Sequence, residues 1–205
     1  MNHNVPLPKR MRALAKDHRG YPVPFIVLRD LDGKPHFVAN DGERIRRALR
    51  ENRCAICGSR LERLRWWVGG PLSAFHPDGA YIDTALHHAC MTYALQVCPY
   101  LAAPGYLGRI DDRLIDKDRL PADKGMLIDH TQIPGRPVLF VAVAAIRATV
   151  SWDPVPPVTK PKRPYLAVEY WRHGKQLSGE VGRALIHTAY PDKKQPLTGH
   201  EDQGY

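Results

Sequence analysis

At 205 residues with 43% apolar side chains the chain can build its own core, and nineteen prolines and sixteen glycines argue for a loop-rich body over a helical bundle. No run approaches the ~18–20 consecutive apolar residues of a membrane span. The formal net charge of +9 favours acidic partners, nucleic acid or an acidic protein, over basic ones.

The opening stretch, Met1 to Arg10, lacks the apolar core of a signal peptide. Residues 1–18 read as an N-terminal arm ahead of a single α+β domain over 19–190. Tyr21 to Arg29 and Pro35 to Ala39 are β-like runs, and the Asp32-Gly33 between them is a hairpin signal. Asp41 to Glu51 predicts a short amphipathic helix capped by Asp41, with Ile45, Ala48 and Leu49 as its apolar stripe. Arg46, Arg50 and Arg53 form a second stripe toward solvent, and Glu43 with Arg47 is an i, i+4 pair.

Next comes Cys54-Ala-Ile-Cys57-Gly58, a knuckle whose two thiolates can grip one face of a metal ion. Gly58 suits the sharp turn that follows. Trp66-Trp67-Val68 reads as a strand stopped by Gly69-Gly70-Pro71. His76-Pro-Asp78 offers an acid/base or metal pair, although a Gly-Pro loop more often uses such residues for a turn. Thirty residues after the knuckle, His87-His88-Ala-Cys90 opens a helix predicted over 87–98. His87 and Cys90, three apart, share a helix face, which makes His87 the ligand and leaves His88 at the surface or behind the ligands. Cys98 lies two turns further on and is expected as a buried thiol capping the core.

Cys54, Cys57, His87 and Cys90 therefore form a Cys3His set suited to tetrahedral zinc in a closed, structural site. A redox Cys-x-x-Cys sits between strand and helix in a βαβ unit; here the pair passes from an Arg-rich helix into a strand, which disfavours that use. Reduced, metal-bound cysteines also suit the cytoplasm. Knuckle, hairpin and helix together describe a treble-clef-like zinc finger at the centre of a small mixed sheet with short helices.

Farther along, Arg109 to Asp129 alternates Asp with Arg or Lys, as in a solvated helix or ordered loop. Val138 to Val150 is strongly apolar and is expected as the central buried strand. Trp152 to Pro164 holds five prolines in thirteen residues and reads as an extended, exposed connector. Leu166 to Trp171 is a further strand, Ser178 caps a last helix to His187, and 191–205 reads as a flexible tail.

The run Cys54-x-x-Cys57-Gly58, Gly70-Pro71, His87-x-x-Cys90-x-x-Tyr93-Ala94 and Cys98-Pro99-Tyr100-Leu101 resembles a family of uncharacterised phage and prophage proteins. Pro134-Gly135-Arg136-Pro137 and Val168 to Lys175 continue the likeness, which covers roughly residues 19–190. Family proteins often carry Pro-Pro before the His, where this chain has Thr84-Ala85-Leu86. The resemblance implies a phage origin, hence a host-cell cytoplasm, and a zinc site of that kind; it implies no activity.

Charge is unevenly spread. Residues 1–65 hold fifteen Lys and Arg against seven acids, whereas 66–108 hold none against two. Arg44, Arg46, Arg47, Arg50, Arg53, Arg60, Arg63 and Arg65 surround the knuckle, and arginine forks match phosphate bidentately. The leading expectation is a zinc-stabilised binding protein engaging nucleic acid through this face. The alternative is a module docking on an acidic host protein of a defence or transcription machine. A third reading, a zinc-finger-associated nuclease, rests on Asp129-His130-x-x-x-Pro134, whose spacing and position after the finger both disfavour it. No residue set identifies a reaction, and no Glu stands where zinc deaminases need one.

Overall fold

The computed structural model describes residues 5–103, 137–153 and 157–191. Residues 109–129, Asp129-His130 and all but the first residue of the predicted tail lie outside them.

The class is α+β, and every strand pair among the described residues is antiparallel. Strands β1 (Val27–Arg29) and β2 (Pro35–Asn40) form a hairpin. Its loop is tied by Asp30, whose carboxylate accepts from the Asp32 and Lys34 amides. The predicted first strand is trimmed at its start because Pro22 and Pro24 supply no N–H to a ladder. Helix α1 (Gly42–Arg50) follows directly. Asp41 caps it, its Oδ1 accepting from Glu43 N at 3.0 Å and Arg44 N at 3.2 Å. Ile45 and Ala48 are buried as the stripe requires.

The central sheet has the order β3-β4-β7-β8, built from Arg65–Gly69, Phe140–Ala145, Ala167–Arg172 and Lys175–Leu177. Its β4 is buried along its whole length, and alternate residues serve two cores. Phe140, Ala142 and Ala144 face one cluster with Trp66, Met91 and the knuckle; Leu139, Val141, Val143 and Ala145 face another with Trp67, Phe75, Tyr170 and Ile186. The first cluster also takes in Met11, from a 3-10 turn (Lys9–Met11) in the segment read as an arm.

Short helices complete both sides: α2 (Pro71–Phe75), α3 (His88–Val97), α4 (Pro99–Ala102) and α5 (Gly179–Ala189). Ser178 caps α5 by accepting from Val181 N. Gly182 lets α5 seat on the sheet, since a Cβ there would stand 2.3 Å from Tyr170 Cγ.

Two expectations are corrected. The apolar run 138–150 is not one strand: β4 ends at Ala145, and β5 (Ala148–Ser151) leaves for a separate two-stranded ribbon. Its partner β6 (Val158–Pro161) comes from the proline-rich connector, so part of that segment does pair. It can do so because β6 is an edge strand of a two-stranded ribbon, where a proline is tolerated.

Candidate metal centre

The knuckle is shaped by its own backbone. Gly58 N bonds Cys54 O at 2.9 Å with Gly58 at φ +70, and Cys54 N bonds Ser59 O at 2.9 Å. A side chain at Gly58 would also meet the Phe25 ring, 2.8 Å away. Phe25 N to Ile56 O and Ile26 N to Ala55 O fasten the knuckle to the chain entering β1.

The second ligand pair arrives through a bridge. Trp66 and Leu86 exchange both amide bonds, at 3.0 and 2.8 Å, and Ala55 N bonds Ala85 O. His87 and Cys90 thereby come against the knuckle. Candidate ligand atoms of Cys54, Cys57, His87 and Cys90 all lie within 4.8 Å of one another. Regular tetrahedral coordination with Zn–S near 2.3 Å would set sulfurs about 3.8 Å apart, so the cluster is of the right size for a metal ion.

His87 reaches the cluster by a different route from the one predicted. It is the N-cap of α3, extended at φ −73 and ψ 146, and the helix begins at His88. Its Nδ1 stands 3.3 Å from Cys57 Sγ, while Nε2 stands 3.0 Å from the Arg60 carbonyl. With the Nε2 proton donated to that carbonyl, the Nδ1 lone pair faces the sulfurs, the arrangement of a histidine ligand held by its other nitrogen.

Cys54, Cys90 and His87 are buried and Cys57 is half-buried. Hydrogen bonds from the Cys57 and Cys90 thiols pull Cys54 well below the ordinary thiol range. Hydrogen bonding to Cys54 pushes Cys57 and Cys90 up, because further thiolates beside the first are unfavourable without a cation. The bond to Cys54 also raises His87. A divalent cation reverses this competition by stabilising all three thiolates together. Four protein donors fill a tetrahedral shell, which suits a structural ion.

The neighbours sort differently. His88 is at the surface, its Nε2 2.7 Å from Glu169 Oε1 and its ring centroid 4.6 Å from that of Trp66. Cys98 is half-buried at the end of α3, not the fully buried thiol expected, and it is not in the ligand cluster. Pro99 after it does end the helix. His76 Nδ1 accepts from Asp78 N at 3.1 Å, which makes that pair a turn at the foot of α2.

The arginines do not form one uniform surface. Arg46 pairs with Glu43, Arg47 with Glu51, and Arg53 with Glu51 and the Gly58 carbonyl. The anticipated Glu43–Arg47 pair is replaced by these neighbours. Arg44 turns inward, bonding the Phe25 carbonyl at 3.0 Å and pairing with Asp41. Arg50, Arg60 and Arg63 are exposed, and no acidic partner holds them among the described residues. Arg50 instead lies over the ring of Trp152, 5.9 Å from its centroid, and Trp152 is 48% exposed. Arg65 is half-buried at the start of β3 in the central sheet.

No protein-family model, no curated protein and no solved structure matches this chain. Among the described residues no helix is long and apolar enough to cross a membrane.

Proposed function

We propose that the chain is a zinc-stabilised binding protein that engages nucleic acid through the arginines around its knuckle. Zinc is the ion favoured by three thiolates and an imidazole in a four-coordinate, closed set. The observation that carries the nucleic-acid reading is that Arg50, Arg60 and Arg63 are exposed and without acidic partners among the described residues, with Arg50 lying over the half-exposed indole of Trp152. Guanidinium groups track phosphates, and an aromatic face stacks on bases of any identity. A phage setting, as the family resemblance implies, accords with a small cytoplasmic nucleic-acid binder.

Metal analysis of the purified protein should return one zinc per chain. Affinity for duplex and single-stranded oligonucleotides, measured over a range of salt, should fall steeply. Arg50→Gln, Arg60→Gln and Arg63→Gln should each flatten the log–log slope by about 0.9 for duplex or 0.7 for single strand. Slopes unchanged in all three variants would remove this face from the account. Retention of an acidic host protein without any oligonucleotide binding would turn the same arginines into a protein-docking surface.

A further inference from the structure

The β5–β6 ribbon has two faces of opposite character. Along β5 burial alternates with period two: Ala148 and Val150 turn toward the body, Thr149 and Ser151 toward solvent. Along β6, Thr159 and Pro161 are buried and Lys160 is exposed. The register sets Thr149 opposite Lys160. Just past the ladder, Lys162 N bonds Arg147 O at 2.8 Å, which sets exposed Arg147 opposite exposed Lys162. Tyr81 and Thr159 exchange both amide bonds, at 2.9 and 2.8 Å, and so fix the ribbon to the body. Arg163 fastens its far end, donating to the Ala74 and His76 carbonyls at 2.8 and 2.7 Å.

The solvent face thus gathers Arg147, Lys160 and Lys162. Like charges set opposite each other across a strand pair repel. No ion pair holds any of the three among the described residues. The Ser151 and Thr149 hydroxyls already donate to the Asp153 and Lys160 carbonyls, so what the face offers is charge. Asp153, exposed beyond the end of β5, is the acidic residue of the segment. Two residues advance a strand by roughly 6.7 Å, so Lys160 and Lys162 are spaced much as successive phosphates of an extended single strand. Trp152 stands at the other end, its indole half-exposed and 5.9 Å from the Arg50 guanidinium. Unpaired bases can stack on such a ring, whereas duplex bases are already stacked on one another.

We propose that the exposed face of the β5–β6 ribbon is a track for single-stranded nucleic acid, with Arg147, Lys160 and Lys162 on its phosphates and an unpaired base stacked on Trp152. The inference deepens the nucleic-acid reading and rests on it. It adds a surface outside the arginines around the knuckle and selects the single strand over the duplex. Arg50 joins the two surfaces through its contact with Trp152. An acidic peptide would pair with the cations alone; the indole beside them favours a base.

The test measures affinity of the zinc-loaded protein for a single-stranded oligonucleotide and for the duplex of the same sequence, over a range of salt. Arg147→Gln, Lys160→Gln and Lys162→Gln should each flatten the single-strand log–log slope by about 0.7. Trp152→Ala should weaken single-strand binding about tenfold or more and Trp152→Phe much less, while duplex binding should respond to neither. Unchanged slopes in the three ribbon variants, with flattening in Arg60→Gln and Arg63→Gln, would overturn the ribbon track and keep the nucleic-acid reading. Flattening in the ribbon variants alone would keep the track and remove the knuckle arginines. Equal loss of single-strand and duplex binding in Trp152→Ala would overturn the single-strand assignment. No binding of either oligonucleotide at low salt would overturn both the track and the reading beneath it.

Discussion

On one face of the central sheet, Phe140, Ala142 and Ala144 meet Trp66, Met91 and the buried Cys54 and Cys90; on the other, Val141, Val143 and Ala145 meet Phe75, Tyr81, Tyr170 and Ile186. The first face is covered by short, separately entering pieces: a hairpin, a nine-residue helix, a knuckle and the start of α3. Such pieces bring little local helix or strand stability of their own, and the four candidate ligands bring two of them, the knuckle and the start of α3, to one point. The second face is covered by α2 and the eleven-residue α5, set directly on Tyr170. A ligand cluster of the size for a metal ion and ordinary packing thus lie on opposite sides of one sheet.

The largest effect that tests this contrast is removal of the ion. In isolated fingers structural zinc is worth ~10–16 kcal/mol at pH 7, as large as the ~5–15 kcal/mol total stability of a typical domain. Chelation, Cys54→Ser or Cys90→Ala should therefore strip hydrogen-exchange protection from α1, α3 and the knuckle. Protection in β4, β7 and α5 should fall less. Equal loss on both faces would mean that the two cores unfold as one unit. Equal retention would mean that the cluster does not support the fold.

The opposite face has its own probe, of smaller size. Gly182→Ala drives a methyl group into the Tyr170 ring, with the nearest atom at 2.3 Å. Overpacking of this kind costs roughly 1–3 kcal/mol, and in a domain of this length about 2–4 °C of melting temperature per kcal/mol. Zinc content should stay at one per chain. Loss of metal in this variant would show that strain passes through the sheet to the ligand cluster.

The contrast also marks what the sequence disclosed. Cys54, Cys57, His87 and Cys90 were legible because coordination demands short spacings that the chain carries openly. The α1 cap and stripe were legible for the same local reason. The route of His87 was not. Spacing of three suggests a helix face, but the residue belongs to the extended chain arriving from the Trp66–Leu86 bridge, a pairing twenty residues apart. The division of 138–150 was hidden because β4 is buried on both faces, which erases the period-two alternation that would have shown its length.

His88 offers the smallest and most discriminating change. It neighbours His87 in sequence and could replace it as a ligand if the start of α3 rewound. In the structure its ring is half-exposed, paired with Glu169 and resting against Trp66, while Glu169 also accepts from Trp171 Nε1 at 2.9 Å. An exposed pair of this kind contributes about 0–1 kcal/mol, so His88→Ala should barely lower the melting temperature. Cobalt(II) in place of zinc should give the same ligand-field spectrum in His88→Ala as in the parent. His87→Ala should alter that spectrum, because it removes the nitrogen donor and frees the Arg60 carbonyl from its bond. If His88→Ala changes the spectrum and His87→Ala does not, the two histidines have exchanged roles, and α3 must begin one residue later so that His88 takes the extended position before it.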